Sequence, residues 1–185
     1  MSLASGLQFA VRRARPGERG VCENLLQLYM YDFSEFAGGV AGPDGRFLYH
    51  DDFGERWGRP WFHPFLLTVL DADPRDGVTI WRPAGFAFVA NSTCFAGQPE
   101  ADQWLMDDFF VMRKYRRAGA GTMLAHHCFE AFRGRWEVAE MAQNTAAQTF
   151  WRKVIGDYTE GRYSEVANAP GWNGPVQRFR NDVSG

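Results

Sequence analysis

The sequence has little excess charge and few cysteines, and these scarcities exclude several functional classes. Its 20 lysines and arginines stand against 22 aspartates and glutamates, a net charge of −2, so no global field favours nucleic acid or an anionic membrane. Its three cysteines form no CxxC pair, which predicts a reducing cytoplasm and no metal site. It has no run of 18 apolar residues and no N-terminal leader pattern, so we expect a cytoplasmic protein that is neither membrane-spanning nor secreted.

Two glycine-rich phosphate-binding fingerprints are also missing. Neither the GxGxxG of dinucleotide-binding folds nor the GxxxxGK[ST] phosphate loop occurs in the chain. The chain has 185 residues, of which 45% are hydrophobic and 23% charged. That length and composition suffice for one sizeable core, and no internal repeat or linker interrupts them. We therefore expect a single domain over residues 1–185.

The pattern of apolar residues predicts a mixed α/β (α+β) fold. A first helix should run from the break at Pro16 to about Tyr31, with Val21, Leu25 and Leu28 facing a sheet. Residues 33–63 have no clear period and are expected to be irregular. Two further helices are predicted at 119–132 and 144–154. Strands are predicted at 7–13, 65–71, 78–90 (interrupted near Pro83), 104–111, 136–141, 156–163 and 176–180.

One stretch of the chain has the pattern of a phosphate-binding turn. The strand ending at Val111 leads into a basic, glycine-containing turn, and a helix follows. The first amides of a helix have no intrahelical acceptor and, with the helix dipole, attract anions. Gly119 and Gly121 lack the Cβ atoms that would hold a pyrophosphate away from the backbone. Arg116 and Arg117 add charge-assisted donors, so this turn is predicted to hold a phosphate group.

Two motifs identify a family resemblance. The pattern Arg116-x-x-Gly119-x-Gly121 resembles the acyl-CoA signature [Q/R]xxGx[G/A] of the GNAT superfamily of N-acetyltransferases. One strand later, residues 144–151 (NTAAQTFW) resemble the family's second motif, NxxAxxF[Y/W]. Residues 106–112 (MDDFFVM) are similar to the LEDFFVM strand of the diamine (spermidine/spermine) N-acetyltransferases. The resemblance covers residues 104–154.

The resemblance implies a GNAT-like fold and acetyl-CoA as the cofactor. In such a fold a central, mostly antiparallel sheet of six or seven strands has helices on both faces. The strand that carries Val111 splays away from its neighbour, and the acyl-CoA arm enters the gap. The cofactor-binding residues implied in this way are Phe109, Val111, Arg116, Arg117, Ala118, Gly119, Ala120, Gly121, Thr122, Asn144 and Phe150.

Acyl transfer to an amine requires a group that accepts a proton, because a primary ammonium has a pKa of about 10.4. Asp107 stands where the similar diamine acetyltransferases have the glutamate proposed as base. Its side chain is one methylene shorter than that of glutamate, so we expect a water molecule to relay the proton from the amine to Asp107. Strand alternation predicts that Asp108 points to the opposite face, so the two carboxylates should not act as a dyad, and one of them could bind the substrate cation. The alternative for each aspartate is a simple ion pair with a nearby arginine.

The chain departs from the family pattern at one catalytic position, and the resemblance suggests two substrate-binding residues. GNAT enzymes usually have an acidic tyrosine at the seventh position after the motif asparagine, and this chain has Trp151 there. An indole N–H can donate a hydrogen bond but is not an acid near neutral pH, so Tyr158 or Tyr115 are alternatives. Asp32 and Glu35 lie where the family often lines its acceptor site, and they could bind a second ammonium.

These observations predict an N-acetyltransferase that moves an acetyl group from acetyl-CoA to a primary amine by direct transfer in a ternary complex. The expected acceptor is a small cationic amine. One alternative is an enzyme of the same fold acting on a protein N-terminus, a lysine or an antibiotic amine. Another, suggested by Trp151, is a non-catalytic acyl-CoA-binding sensor or partner module. Dimers are common in families that this chain resembles, so a homodimer is one assembly that the resemblance allows, although the sequence does not fix the oligomeric state. No nucleic-acid or membrane partner is expected.

Overall fold

Seven strands form one sheet in the order β1-β2-β3-β4-β5-β7-β6. In the computed structural model, which describes residues 7–48, 53–94, 99–167 and 169–182, every neighbouring pair is antiparallel except β4 and β5. The mixed, mostly antiparallel sheet predicted from the sequence is thereby confirmed. The strands are β1 (Gln8–Arg13), β2 (Phe62–Ala72), β3 (Thr79–Ala90), β4 (Gln103–Val111), β5 (Arg135–Ala139), β6 (Ser164–Val166) and β7 (Val176–Arg180).

Helices cover both faces of this sheet, as the fold class predicts. Helices α3 (Ala120–Ala131) and α4 (Thr145–Thr159) pack on the larger core cluster, and we call that side the α3/α4 face. Helix α1 (Arg19–Ala37) and the short helix α2 (Phe53–Arg56) pack on a second cluster on the other side, the α1/α2 face. No helix in the described segments is long and apolar enough to cross a membrane.

The apolar residues of β3 show how the two faces are separated. Phe86 and Phe88 belong to the cluster of the α1/α2 face, whereas Ala87 and Val89 belong to that of the α3/α4 face. All four are buried, so this central strand is apolar on both sides. Strands β2 and β4 pair with β3 in a fixed register. The face on which each of their side chains lies therefore follows from the β3 residue opposite it.

Strands β4 and β5 pair over only part of their length. They run parallel from Gln103, opposite Arg135, to Met106, opposite Val138. Strand β4 then continues to Val111 while β5 ends at Ala139. Residues 108–111 therefore pair with β3 alone among the described strands, and their other edge opens into a gap. Backbone groups along such an edge are available to a ligand.

A β-bulge lies where the gap begins. Asp108 is opposite Phe88, but Met106 is opposite the next residue of β3, Val89, so Asp107 is the extra residue of β4. A bulge breaks the strict alternation of side chains. As a result Met106 and Phe109, three residues apart, both pack on the α3/α4 face.

Three local predictions were wrong. Helix α1 continues past Tyr31 to Ala37, where Gly38 ends it in a left-handed conformation (φ 66°). Its buried side chains are Cys22, Leu25 and Leu26, and Leu28 is 45% exposed. Residues 156–159 belong to helix α4 rather than to a strand, and the strand that follows is confined to β6.

Candidate functional site

The turn between β4 and α3 has the backbone of an anion-binding loop. A short 3-10 turn spans Arg113–Tyr115, and two left-handed residues then follow, Arg117 (φ 64°) and Gly119 (φ 82°). Only glycine adopts such a conformation without strain, and non-glycine residues found there concentrate at functional sites. An added Cβ at Gly119 would meet no atom within 4 Å, so this glycine faces open space.

The amides of this turn are left without acceptors. The first backbone hydrogen bond of α3 runs from the Met123 amide to the Gly119 carbonyl, 3.0 Å. Within the described parts of the chain, the six amides of residues 117–122 donate to no acceptor. Six consecutive free donors at the positive end of a helix form a cradle for a phosphate group.

Two arginines fix the turn and a third remains available to a ligand. The Arg116 Nε donates to the Val111 carbonyl (2.7 Å) and its Nη2 to Asp32 (2.5 Å). Arg113 also pairs with Asp32, at 2.9 Å. Burial opposes the charge on Asp32, but the bonds from Arg116 and Arg113 outweigh it and lower the pKa of its carboxyl. Arg117 is exposed and makes no ion pair within the described segments.

Asp32 therefore has a contact that the sequence did not indicate. It anchors the basic turn to α1, across 84 residues of sequence, and two arginines already balance its charge. Glu35, predicted beside it, is exposed near the end of α1. The hydrogen bond from Arg113 to Asp32 raises the pKa of Arg113, and the charge of Glu35 adds to this rise, so both carboxylates act on one guanidinium.

Aromatic rings line the gap between β4 and β5. The Phe109 ring lies edge-on to Trp151 (centroids 4.8 Å apart) and near Phe150 (5.7 Å). A Cβ added at Gly121 would lie 3.1 Å from the Phe150 ring. Gly121 therefore lets α3 and α4 approach closely on the side of its missing Cβ, while its amide is one of the free donors of the turn. Ala118 and Thr122 are half-buried in the turn, and Ala120 is buried.

The second motif fixes the start of α4. The Asn144 side chain accepts a hydrogen bond from the Ala147 amide, 3.0 Å, and so caps the helix. The side-chain amide nitrogen of Gln148 donates to the carbonyls of Met141 (2.9 Å) and Ala142 (3.1 Å). These bonds hold the segment after β5 against the first turn of α4.

Neither Tyr158 nor Tyr115 is free to serve as the acidic tyrosine for which this chain has Trp151. The Trp151 indole is 5% exposed and packs on Phe129 as well as Phe109. The Tyr158 hydroxyl donates to Glu130, 2.8 Å, and the Tyr115 hydroxyl to Asp71, 2.7 Å. Burial raises the pKa of both tyrosines, and the hydrogen bond to Asp71 raises that of Tyr115 further. Both hydroxyls are therefore weak acids that are already engaged.

The two aspartates of β4 lie on one face of the sheet, contrary to the prediction from alternation. Asp108 is 7% exposed, and its register partner Phe88 is on the α1/α2 face. Asp107 forms an ion pair with Arg56 of α2. The Arg56 guanidinium lies 4.5 Å above the Phe62 ring, in the cluster of the same face. The bulge at Asp107 explains this, because it adds one residue between the two alternating halves of β4.

Sequence reasoning missed two charged residues near the gap. Arg56 is 51 residues from Asp107 and comes from a segment without periodicity, so no sequence pattern pointed to it. Glu140 follows the end of β5 and is 4% exposed. Burial raises the pKa of its carboxyl to about 8. The sequence did contain a signal for Glu140. Trp136 and Val138 are buried residues in alternation along β5, and the same alternation places Glu140 on the α3/α4 face.

Comparison with known proteins agrees with this geometry. The model of the acetyltransferase (GNAT) family matches residues 43–156. No curated protein sequence matches the chain significantly.

Among solved structures, a domain from Methanocaldococcus jannaschii superposes with a TM-score of 0.61 at 7% identity, covering 95% of this chain and 100% of that one. The ribosomal-protein-S18-alanine N-acetyltransferase of Escherichia coli gives 0.54 at 14% identity, with 96% and 97% covered. An aminoglycoside acetyltransferase from an uncultured soil metagenomic sample, solved with sisomicin, gives 0.55 at 12% identity, with 79% and 86% covered.

At these identities the structural similarity shows the fold alone. The family match rests on the sequence itself and spans 114 of the 185 residues, counted from 43 to 156. It includes β4, the basic turn and most of α4. The chain belongs to the acetyltransferase (GNAT) family.

Proposed function

We propose that this protein is an N-acetyltransferase that transfers an acetyl group directly to the amino group of a small primary amine. The observation that carries the proposal is the position of Asp107 and Asp108. Both lie on the α1/α2 face at the point where β4 and β5 part. A carboxylate at the mouth of the gap is suited to accept a proton from an amine held on that face.

Membership of the GNAT family makes the chain an acyl-CoA-dependent acetyltransferase with acetyl-CoA as its cofactor. The residues present fit this group. The amides of residues 117–122 and the free side chain of Arg117 suit the pyrophosphate. The open edge of β4 at 108–111 suits the amides of the pantetheine arm. When bound, the cofactor supplies the activated acetyl thioester.

The chain's own residues then divide the remaining work. Asp107 is half-buried and held by Arg56, which fixes the direction of its carboxylate. Because aspartate is short, the proton passes to it through a water. Asp108, deeper in the sheet, orients the positive charge of the acceptor. Trp151 contributes an apolar wall together with Phe109, and no acid is assigned to it.

Two alternatives stay open as outcomes of experiment. The metagenomic neighbour acts on aminoglycosides and the E. coli neighbour on a protein N-terminal alanine, according to their names. A protein or antibiotic amine is therefore the first alternative for this chain. A non-catalytic acyl-CoA sensor is the second, since the usual tyrosine is Trp151. The finer resemblance to diamine acetyltransferases, the single domain, the homodimer and the cytoplasmic location stay predictions.

The test is a panel of primary amines incubated with acetyl-CoA, with free thiol release and product mass as readouts. The panel contains diamines, amino sugars, aminoglycosides and a peptide with a free N-terminus. Asp107→Asn should lower kcat by at least about tenfold and leave the acetyl-CoA Kd nearly unchanged. Glu55→Asn, an exposed carboxylate of α2, is the control and should keep full activity. Binding of acetyl-CoA without acetylation of any amine would refute the proposed transfer.

A further inference from the structure

The start of β3 lies at an open edge of the sheet. Strand β3 pairs with β4 only from Gly85 onward, opposite Val111. The chain turns away directly after this pair, where the Met112 amide donates to the Ala84 carbonyl, 2.8 Å. Residues 79–83, which we call the β3 arm, therefore pair with β2 alone among the described strands. The arm projects past the end of β4, with one backbone edge exposed.

The backbone of the β3 arm alternates between the β2 side and the open side. The Asp73 amide donates to the Val78 carbonyl, 2.9 Å, so this carbonyl points toward the β2 side. Successive residues of a strand direct their N–H and C=O groups to opposite sides. Thr79 and Trp81 therefore present a donor and an acceptor each to the open side. Pro83 lies on the same side, where its missing N–H costs no hydrogen bond to β2.

The β3 arm is apolar and exposed on both faces of the sheet. Ile80 is 47% exposed and stands opposite Asp71, which bonds to Tyr115 of the α3/α4 face. Trp81 is 49% exposed and lines a cavity on the α1/α2 face together with Leu66. Native sheets usually avoid large apolar side chains on an unpaired edge. An edge of this composition is suited to pair with another strand.

The two outer edges of the sheet are protected in ways that the β3 arm is not. Strand β6 has only three residues, and β1 ends in Arg12 and Arg13. Short strands and charged side chains both discourage pairing. Residues 71–82 carry three aspartates and two arginines, and Lys114 forms an ion pair with Asp71, so these charges sum to zero. Two copies of the arm therefore do not repel each other by net charge.

We propose that the β3 arm pairs with the same arm of a second copy of this chain, antiparallel and about a twofold axis at Ile80. In this register Thr79 is opposite Trp81 of the second copy, and Trp81 is opposite Thr79 of the second copy. Each of these two pairs exchanges both backbone hydrogen bonds, so four bonds form and the open-side donors of Thr79 and Trp81 are all used. Ile80 meets its own counterpart in the closely spaced type of pair, with Cα atoms about 4.5 Å apart. Such self-complementarity is what a twofold interface requires.

The same register keeps the bodies of the two copies apart. Pro83 comes opposite Gly77 of the second copy, where that hairpin turns back with a left-handed residue (φ 72°). Antiparallel pairing directs the rest of the second copy's β3 away from β4. Contact is therefore confined to two projecting arms, and we expect a small interface with a concentration-dependent dimer. The pairing is independent of the proposed acetylation.

Sedimentation velocity of the full chain at rising concentration measures the pairing. Wild type should show a monomer–dimer equilibrium. Thr79→Pro removes two of the four hydrogen bonds without touching those to β2, and should raise the dimer Kd at least about tenfold. Ile80→Lys places two like charges at the axis and should raise it at least as much. Val40→Lys, at an exposed apolar residue outside the arm, is the matched control and should leave the Kd unchanged.

A cross-link tests the register itself. Ile80→Cys brings two thiols together at the axis, and a Cα separation of about 4.5 Å lies within disulfide geometry. This variant should form a disulfide-linked dimer on oxidation, beyond the level of wild type with its three native cysteines. Val78→Cys is the control, because its two copies would lie about 14 Å apart along the strands and should not link.

Each outcome supports or overturns the pairing. A monomer at every concentration would overturn it and leave the edge to a strand of another protein. A dimer whose Kd neither Thr79→Pro nor Ile80→Lys raises, or equal cross-linking of the two cysteine variants, would place the contact elsewhere and also overturn it. If Thr79→Pro unfolds in urea controls, Ile80→Lys decides alone, since its position is exposed. Acetyltransferase activity is measured separately, so the two proposals fail independently.

Discussion

Replacing Glu140 by glutamine should flatten the pH dependence of the free energy of unfolding. Glu140 is buried after β5, and its amide donates to the Pro175 carbonyl at 3.1 Å. Its nearest charged groups are Arg152 of α4 and Glu165 of β6, which pair with each other at 2.8 Å. Burial raises the pKa of Glu140, and a hydrogen bond with Gln177 of β7 opposes this rise. The Gln177 amide nitrogen, however, also donates to Glu165, 2.7 Å. Burial therefore dominates and keeps the carboxyl protonated near neutral pH.

The sign and size follow from linkage. The pKa of Glu140 is about 8 in the folded protein, against an ordinary 4.5. Between these values the folded state holds a proton that the unfolded state has lost, so stability falls as pH rises. The slope is about 1.4 kcal/mol per pH unit. From about pH 5 to about pH 8, this one group should lower the free energy of unfolding by an amount of the order of 3 kcal/mol.

Urea unfolding followed by tryptophan fluorescence at several pH values measures this difference directly. Glu140→Gln should flatten the pH dependence by the amount given above, because an amide does not titrate. Glu55→Gln, at an exposed position of α2, should leave the curve as in wild type. Superimposable curves for wild type and Glu140→Gln would refute a buried, protonated Glu140.

Three further substitutions test contacts of the site. Asp32→Asn should weaken acetyl-CoA binding about tenfold by releasing Arg116; a raised KM for the amine with unchanged acetyl-CoA affinity would instead make Asp32 a substrate ligand. Gly121→Ala should cost about 1–3 kcal/mol of unfolding free energy because its Cβ meets the Phe150 ring at 3.1 Å; unchanged urea midpoints would contradict that packing. Gly85→Ala should cost more than about 3 kcal/mol, since its Cβ would overlap the Phe110 carbonyl; a soluble variant with wild-type melting would disprove the close approach of β3 and β4.

Local patterns predicted the elements whose signals are local. Strand β7 has the predicted bounds, 176–180, and the bounds of β1, β4 and α3 differ from prediction by at most one residue at each end. The turn of residues 113–119 could also be predicted from the sequence, because glycine permits a left-handed backbone there and arginine supplies positive charge. The family motif at Asn144 and Phe150 predicted the second half of the candidate site.

The errors come from contacts between distant segments. Helix α4 continues through Gly156 because Trp151, Ile155 and Thr159 keep one buried face, and a single glycine costs only about 1 kcal/mol. The bulge at Asp107 depends on the register of β3, which no single strand reveals. The ion pairs of Asp32 and Asp107 join residues 51 to 84 positions apart, beyond the reach of any periodicity.

The most direct test of the central claim is thermal unfolding of the purified protein with and without acetyl-CoA. Ligand at about 100 times its Kd adds roughly 2.7 kcal/mol, which for a domain of this size raises Tm by about 5–10 °C. Gly119→Glu places a carboxylate in the cradle and should abolish the rise. Gly171→Glu, at a glycine of similar φ (87°) with equally open space, should keep it. No rise in wild type, or an undiminished rise in Gly119→Glu, would contradict the cofactor site.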